Sequence, residues 1–480
     1  MSSHSNIRRN SLFVFLTNAF RLLSNVALFV IIARFYGPAE FGQFAAIHVL
    51  ATVFLIVADF GFDVLLIAKL PQHPREITTL TSKYFSTKLL SSFIASISFV
   101  AFAMLGRVGS NHADLALVFA LYVFSSALVN FFCAFFKSME LMEEETKVSF
   151  VMNSFLLAGG SLVAAFSGSM LALASIFSLS RLLGLLSAVR RARRIVPQLA
   201  FKFTLIDRKE LESVWVFGLH ALLGTLYFVQ DTLLLSHWSD SHNVGIYQAM
   251  FKLVSVSLLP GDVLIAATLP ILSRLTIEDS GRWLAVGKLL HKTLFYVALI
   301  IGSATILFAD SIVAVVYGPE YQAEGPAILR MLAVVVVLRY ASDGSGAILT
   351  SSNRQVKRLT VVGTAVILNF FLNWYLIPLS GARGAATASL LTGAYVACGY
   401  IAYAWKDVRS WFREREVYLV GAFAVVMGFF TWWTNLSDWV ALPLVLGLLT
   451  VVTLFKGYSD VERRTLFSPG RISSEVTLIQ

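Results

Sequence analysis

The chain is 480 residues long, 57% hydrophobic and 13% aromatic, and only 14% of its residues are charged. A soluble domain carries about a quarter charged residues, so this composition excludes an ordinary soluble enzyme, and the net charge of +10 is to be explained by a membrane before a nucleic acid. The two cysteines, Cys133 and Cys398, both lie inside apolar runs and suggest neither a disulfide framework nor a metal site.

From Ser11 to Lys456 the sequence is a succession of apolar runs parted by short polar joints. A hydrocarbon core of ~30 Å needs roughly 20 apolar residues of helix. Lipid satisfies no backbone polar group, so only helices or closed barrels span it. These runs are too long and continuous for barrel strands, which alternate over ~10 residues. The start, MSSHSNIRRNSLFVFL, enters an apolar run without a small-residue cleavage site, which predicts a first span and not a removed signal peptide. Fourteen spans are predicted: 11–35, 40–68, 80–106, 113–137, 147–167, 169–190, 213–236, 243–272, 288–317, 325–350, 358–378, 383–405, 417–434 and 438–456. The expected fold is an all-α polytopic membrane protein. A six-helix bundle takes residues 1–190, a basic cytoplasmic linker 191–212, a second six-helix bundle 213–405, and two extra helices with a tail 406–480.

Charge sets the orientation. The N-terminal tail and the even-numbered joints with their flanking span ends hold 29 Lys and Arg, the odd-numbered joints with theirs only Arg34, Arg107 and Arg383, and the remaining 6 of 38 lie deeper inside spans. Positive charge stays cytoplasmic, so both termini are expected inside. The RRARR cluster at 190–194 reads as a topology anchor that touches anionic headgroups. The outward joints (YGPAE, RVGSNHAD, HWSDSHN, GPEYQAEG and PLSGARG) are too short to hold the external site of a sugar polymerase or ligase.

An internal repeat supports two halves. Phe41-Gly42-Gln43-Phe44-Ala45-Ala46 and Val244-Gly245-Ile246-Tyr247-Gln248-Ala249 both follow an outward joint and open a long span, 203 residues apart. Six spans fit in that offset, and an even offset preserves orientation, so the halves would be parallel repeats suited to alternating access.

Five motifs follow in order along the chain: Phe35-Tyr36-Gly37-Pro38-Ala39-Glu40-Phe41-Gly42-Gln43-Phe44, Ala58-Asp59-Phe60-Gly61-Phe62, Tyr227-Phe228-Val229-Gln230-Asp231 followed by Val244-Gly245-Ile246-Tyr247, Tyr317-Gly318-Pro319-Glu320-Tyr321, and Gly381-Ala382-Arg383-Gly384-Ala385-Ala386. Taken together they resemble the oligosaccharide-lipid flippases of the MOP superfamily, the Wzx-type polysaccharide and O-antigen transporters. Asp59 departs from the pattern, which is commonly apolar there. The resemblance implies a MATE-like fold and a cationic cavity for a polyprenyl-pyrophosphate-linked oligosaccharide.

An ionisable residue at membrane depth costs at least ~2.5–3.5 kcal/mol on insertion scales and usually marks a pathway. Six basic residues qualify: Arg21, Lys88, Arg181, Lys252, Arg330 and Arg339. Arg presents a planar fork to phosphate oxygens and Lys a point charge, so these are the expected substrate-binding cations. Arg21 and Arg181 have no acidic neighbour one turn away. Lys88 and Arg330 lie nearer span ends and are expected to snorkel towards headgroups. Arg339 and Asp343 are spaced to pair along one helix. Among the acids, Asp231 is the first candidate for H⁺ or Na⁺ coupling, Asp59 and Asp63 share a face near an inner span end and suit a gate, and Asp343 joins this coupling or gating group. His48 and His220 read as packed helix residues. No ATP-binding loop, zinc-protease or catalytic-triad spacing is evident, so no catalytic residue, metal or cofactor is expected.

The expected function is flipping a lipid-linked repeat unit across a bacterial inner membrane for O-antigen, capsule or exopolysaccharide synthesis. Membrane lipids and other polysaccharide-assembly membrane proteins are the expected partners, and nucleic acid is not. The alternatives are a MATE-like cation-coupled drug or solute antiporter, which should favour acids over bases in its cavity, a membrane enzyme, and a non-transporting component of an assembly complex.

Overall fold

The structure is a computed structural model that describes residues 2–73, 75–105, 113–166, 168–196, 203–434, 437–459 and 462. Arg107 and most of its joint, Ser167, residues 197–202 of the basic linker, and Arg463, Arg464 and Arg471 of the tail lie outside the described residues. So do the side chains of Arg8, Arg208, Lys209 and His220.

Among the described residues all regular structure is helical. In chain order the helices are α1 (Ser2–Asp59), α2 (Phe62–Lys69), α3 (Ile77–Leu105), α4 (Ala113–Ser138), α5 (Met142–Ala165), α6 (Met170–Ile195), α7 (Arg208–Trp238) and α8 (Ser241–Ser257). There follow α9 (Leu259–Glu278), α10 (Ser280–Leu307), α11 (Ala309–Val316), α12 (Gly325–Ser351), α13 (Gln355–Val408), α14 (Arg415–Thr434) and α15 (Asp438–Lys456). Ten helical stretches among the described residues are long and apolar enough to cross a membrane, so the chain is a multi-pass membrane protein.

Two of the helices, α1 and α13, are broken internally. In α1 the break is Gly37 (φ 71, ψ 173), followed by Pro38, inside the predicted YGPAE joint. In α13 it is Ser380 and Gly381 (φ 54, ψ −127), inside the PLSGARG joint. A positive φ is cheap only for glycine, and proline removes the N–H that would continue the helix, which is why the chain turns there. The α1–α2 corner puts Phe60 (φ 41) and Gly61 (φ 90) in succession in the left-handed region.

The chain divides into two compact units. One comprises Met1–Lys252 with the short segment Ile377–Ala382. Within it α1 packs on α3, α4, α5 and α7, and α4 packs on α3 and α6. Its core includes Phe62, Leu66, Tyr84, Phe132, Phe135, Met152 and Val214. Gly160 lies against Leu28, and Gly184 against Met152, small residues that let helices approach closely. The other unit comprises Leu253–Leu376 and Arg383–Gln480. There α9, α10 and α12 pack on one another, and α14 and α15 pair and lean on α10 through Phe308, Met427, Val445 and Leu449.

Candidate functional site

The intramembrane cations sort by what they touch. In the first unit, Lys88 on α3 is fully buried between two carboxylates, with its Nζ 2.5 Å from Asp59 Oδ1 and 2.9 Å from Asp63 Oδ1. Asp59 Oδ1 also accepts the Asp63 N–H at 3.1 Å, so the α1–α2 corner carries its own acid-to-backbone tie. Lys88 was expected to snorkel and does not: a group with no exposed surface reaches no headgroup. Its two acids, read as gate residues by sequence, are the reason it can be buried, because a buried charge must be paired.

In the second unit, Arg330 pairs with Asp310 and donates to the Ile306 carbonyl at 3.2 Å. Its side chain is 40% exposed. Arg339 lies between Asp262, 3.1 Å away on α9, and Asp343, 3.5 Å away one turn along α12. The intrahelical partner was legible from spacing, whereas Asp262 was not singled out as a partner.

The remaining three cations are Arg21, Lys252 and Arg181. Arg21, Asn25 and Phe29 recur every fourth residue and so share one face of α1. Arg21 is exposed and donates to Asn18 Oδ1 at 2.9 Å. Lys252 Nζ donates to Asn25 Oδ1 at 3.3 Å and stands 4.0 Å over the centre of the Phe29 ring. Arg181, on α6, sits 5.2 Å from the centre of the Tyr122 ring, and its nitrogens donate to Met152 Sδ at 2.8 Å and to Tyr122 Oη at 3.4 Å. Its buried Nε has no hydrogen-bond partner. Among the described residues neither Arg21 nor Arg181 forms an ion pair with a carboxylate.

An aromatic cluster joins these positions. The His48 ring lies 5.2 Å from Phe29, 5.7 Å from Tyr122, 5.6 Å from Phe177 and 6.1 Å from Phe119. Lys252 stands over the Phe29 ring and Arg181 beside the Tyr122 ring, and both rings touch His48, which places the two cations around one knot of rings supplied by α1, α4 and α6. Ring faces attract cations without neutralising them. Sequence reading did not select Asn25, Phe29, Tyr122 or Phe177. Helical spacing from Arg21 would have found the first two, whereas the others come from distant helices.

Asp231 is 5% exposed and its Oδ2 accepts from Tyr247 Oη at 2.8 Å, so α7 and α8 are tied by the residue named first for ion coupling. Among the described residues no group of His, Cys, Asp and Glu is arranged to hold a metal ion.

The sequence matches the polysaccharide biosynthesis protein family over residues 7–276, more than half of the chain. The chain belongs to that family. No curated protein matches it. Among solved structures, it is similar to the lipid II flippase MurJ in an inward closed conformation, with a TM-score of 0.71 and 14% identity over 92% of this chain and 98% of that one. It is also similar to an inward-facing multidrug resistance MATE family transporter of the MOP superfamily, with a TM-score of 0.67 and 13% identity over 82% and 96% of the two chains. A third likeness is to a MOP superfamily transporter from Pyrococcus furiosus Vc1 (DSM3638), with a TM-score of 0.58 and 13% identity over 85% and 96%. These likenesses concern the fold, which is that of the MOP-superfamily transporters.

Proposed function

We propose that this family member flips a polyprenyl-pyrophosphate-linked oligosaccharide from the inner to the outer leaflet of a bacterial inner membrane, supplying surface polysaccharide such as O-antigen, capsule or exopolysaccharide. The observation that carries the reading is that Arg21 and Arg181 form no carboxylate pair among the described residues, while Lys252 rests on Asn25 and the Phe29 ring beside them. A site kept positive at membrane depth is costly, and an anionic ligand offsets that cost. The two guanidiniums suit phosphate oxygens and Lys252 adds a point charge. Lys88, Arg330 and Arg339 are already paired and take supporting roles in this reading.

The fourteen-span reading fits the helices. Dividing α1 at Gly37 and α13 at Ser380 and Gly381 turns ten candidate stretches into twelve, and α7 and α14 complete fourteen. On this reading residues 1–190 and 213–405 are the two bundles, 191–212 the basic linker, and 406–480 the added pair and tail. Both termini stay cytoplasmic by the charge distribution. Alternating access would expose the cations first to the inside and then to the outside, with the lipid tail left in the bilayer. A carboxylate such as Asp231 can take up H⁺ or Na⁺ in one state and release it in the other.

The test is deletion of the gene in its host, complemented with wild type or Arg181→Ala, measuring lipid-linked oligosaccharide in the inner leaflet beside surface polysaccharide. Inner-leaflet accumulation with surface loss, rescued by wild type and not by the variant, is expected. Normal surface polysaccharide after deletion would overturn the reading and bring drug or solute antiport forward.

A further inference from the structure

Three of the sequence motifs have no place in the cation site, and the structure brings them together. Gly42, of the Phe-Gly-Gln-Phe motif, abuts the N-terminal turn of α8. A Cβ there would overlap the Ser241 carbonyl oxygen and stand 2.7 Å from Gly245 N. Gly245, of the Val-Gly-Ile-Tyr motif, is in the reciprocal position, where a Cβ would overlap the Pro38 carbonyl oxygen and stand 2.7 Å from its carbon. Pro38 and Ser241 are 203 residues apart, as are Gly42 and Gly245. The repeated motifs therefore meet each other, each glycine against the other repeat's backbone.

The third motif closes over this contact. Asn243 Oδ1 accepts the Ala382 N–H at 2.9 Å, and the amide lies against Gly381, whose φ of +54° a side chain would strain. The Asn243 side chain is itself held, its Nδ2 donating to Asp240 Oδ1 at 3.0 Å. Ile377–Ala382 groups with the first unit although the residues on either side of it do not, so it forms a strap on α8. Tyr36 Oη donates to the Gly168 carbonyl at 2.6 Å, tying the joint before Pro38 to the one before α6.

We propose that these joints form an outer gate, closed in this structure, whose seal is backbone against backbone. With the orientation proposed above, all four joints lie on the outer side. The Gly42–Gly245 contact is a close backbone approach, in which the atoms nearest each glycine's built Cβ are backbone atoms of the other segment, an approach of the Cα–H···O kind. Such a seal is tight when glycine occupies both positions and parts without leaving a buried charge behind. The glycines thus set how closely the two repeats meet, and the Asn243–Ala382 hydrogen bond latches the strap.

The experiment needs no substrate. Cys133 and Cys398 are replaced by Ser, and a reporter cysteine is placed at Phe41, which is fully buried beside Gly42. A membrane-impermeant thiol reagent is then added outside intact cells. Labelling is expected to be slow with Gly42 present and to rise several-fold in Gly42→Val, with a smaller rise in Gly42→Ala. Gly421→Val, at a glycine with open space around it, should leave the rate unchanged. Separately, Asn243→Cys with Ala382→Cys should cross-link on oxidation and slow Phe41→Cys labelling further, reversed by reductant. Unchanged labelling in Gly42→Ala and Gly42→Val of wild-type abundance, or no effect of the cross-link, would overturn the gate. Either outcome leaves the proposed substrate untouched, because labelling reports opening alone.

Discussion

Replacing Lys88 with Met should destabilise the protein severely, and removing its partners as well should restore it. The ammonium is fully buried at 2.5 Å and 2.9 Å from two carboxylates. At an effective dielectric of about 20, each such pair has a gross Coulomb attraction of about 6–7 kcal/mol, reduced by repulsion between the two acids and by desolvation. Breaking a buried pair by deleting one partner typically costs about 3–5 kcal/mol. Protonation sets a ceiling: neutralising an ordinary aspartate at pH 7 costs about 4 kcal/mol, and each pH unit lower cheapens it by about 1.4 kcal/mol. The gap between Lys88→Met and wild type should therefore be large at pH 8 and narrow towards pH 5. The triple variant Lys88→Met, Asp59→Asn, Asp63→Asn should recover most of the loss, because it leaves no unpaired charge. The assay is the fraction of fluorescently tagged protein that stays monodisperse in detergent after heating, across pH. A Lys88→Met protein as stable as wild type, or a triple variant no better than the single, would refute the buried-network reasoning.

Arg181→Met should lower export at least tenfold while leaving the heat-inactivation midpoint near wild type, since no carboxylate among the described residues loses a partner. Arg339→Met should do the reverse in part: it strands Asp262 and Asp343, and its stability loss should be relieved by adding Asp343→Asn. Gly261→Ala should cost roughly 1–3 kcal/mol, because a Cβ would overlap the Tyr340 ring whose Oη accepts the Gly261 N–H at 2.9 Å and donates to Ser257 O at 2.6 Å. At the joint before α14, burial works against ionisation of Glu414, but hydrogen bonding to Lys288 and the charges of Lys288 and Lys292 outweigh it and hold the carboxyl below its usual range. A lowered pKa gives stability that is present above the unfolded value of about 4.3 and is lost as pH falls through the folded one. Limited proteolysis around Glu414 should therefore be flat above pH 5 and accelerate below about pH 4, and Glu414→Gln should abolish that step.

What the sequence disclosed was what one helix or one turn determines. Apolar runs marked the helices, and Gly37-Pro38 and Ser380-Gly381 marked the breaks, because a positive φ and a missing N–H are local properties. The Arg339–Asp343 pair followed from a spacing of one turn. What it concealed was partnership across helices. Lys88 lies 29 and 25 residues from its two acids, so its position near a span end suggested snorkelling when the tertiary fold demanded a buried pair. Asp262 is 77 residues from Arg339. The rings around His48 come from three helices, and no periodicity in any one of them announces that they meet.

That division explains why three of the six candidate cations, Lys88, Arg330 and Arg339, turn out to be paired with acids. Within one helix a cation without an acid one turn away appears unpaired, and sequence could rank Arg21 and Arg181 on that ground alone. Only packing tells whether another helix brings the missing carboxylate. For Lys88 it brings two, for Arg330 Asp310, and for Arg339 both Asp262 and Asp343. For Arg181 it brings Met152 and Tyr122, a thioether and a ring face. These neighbours tolerate the charge without cancelling it, which suits the anion site of the proposed function. On the proposed function, a carboxylate in the same place would compete with phosphate oxygens for the guanidinium.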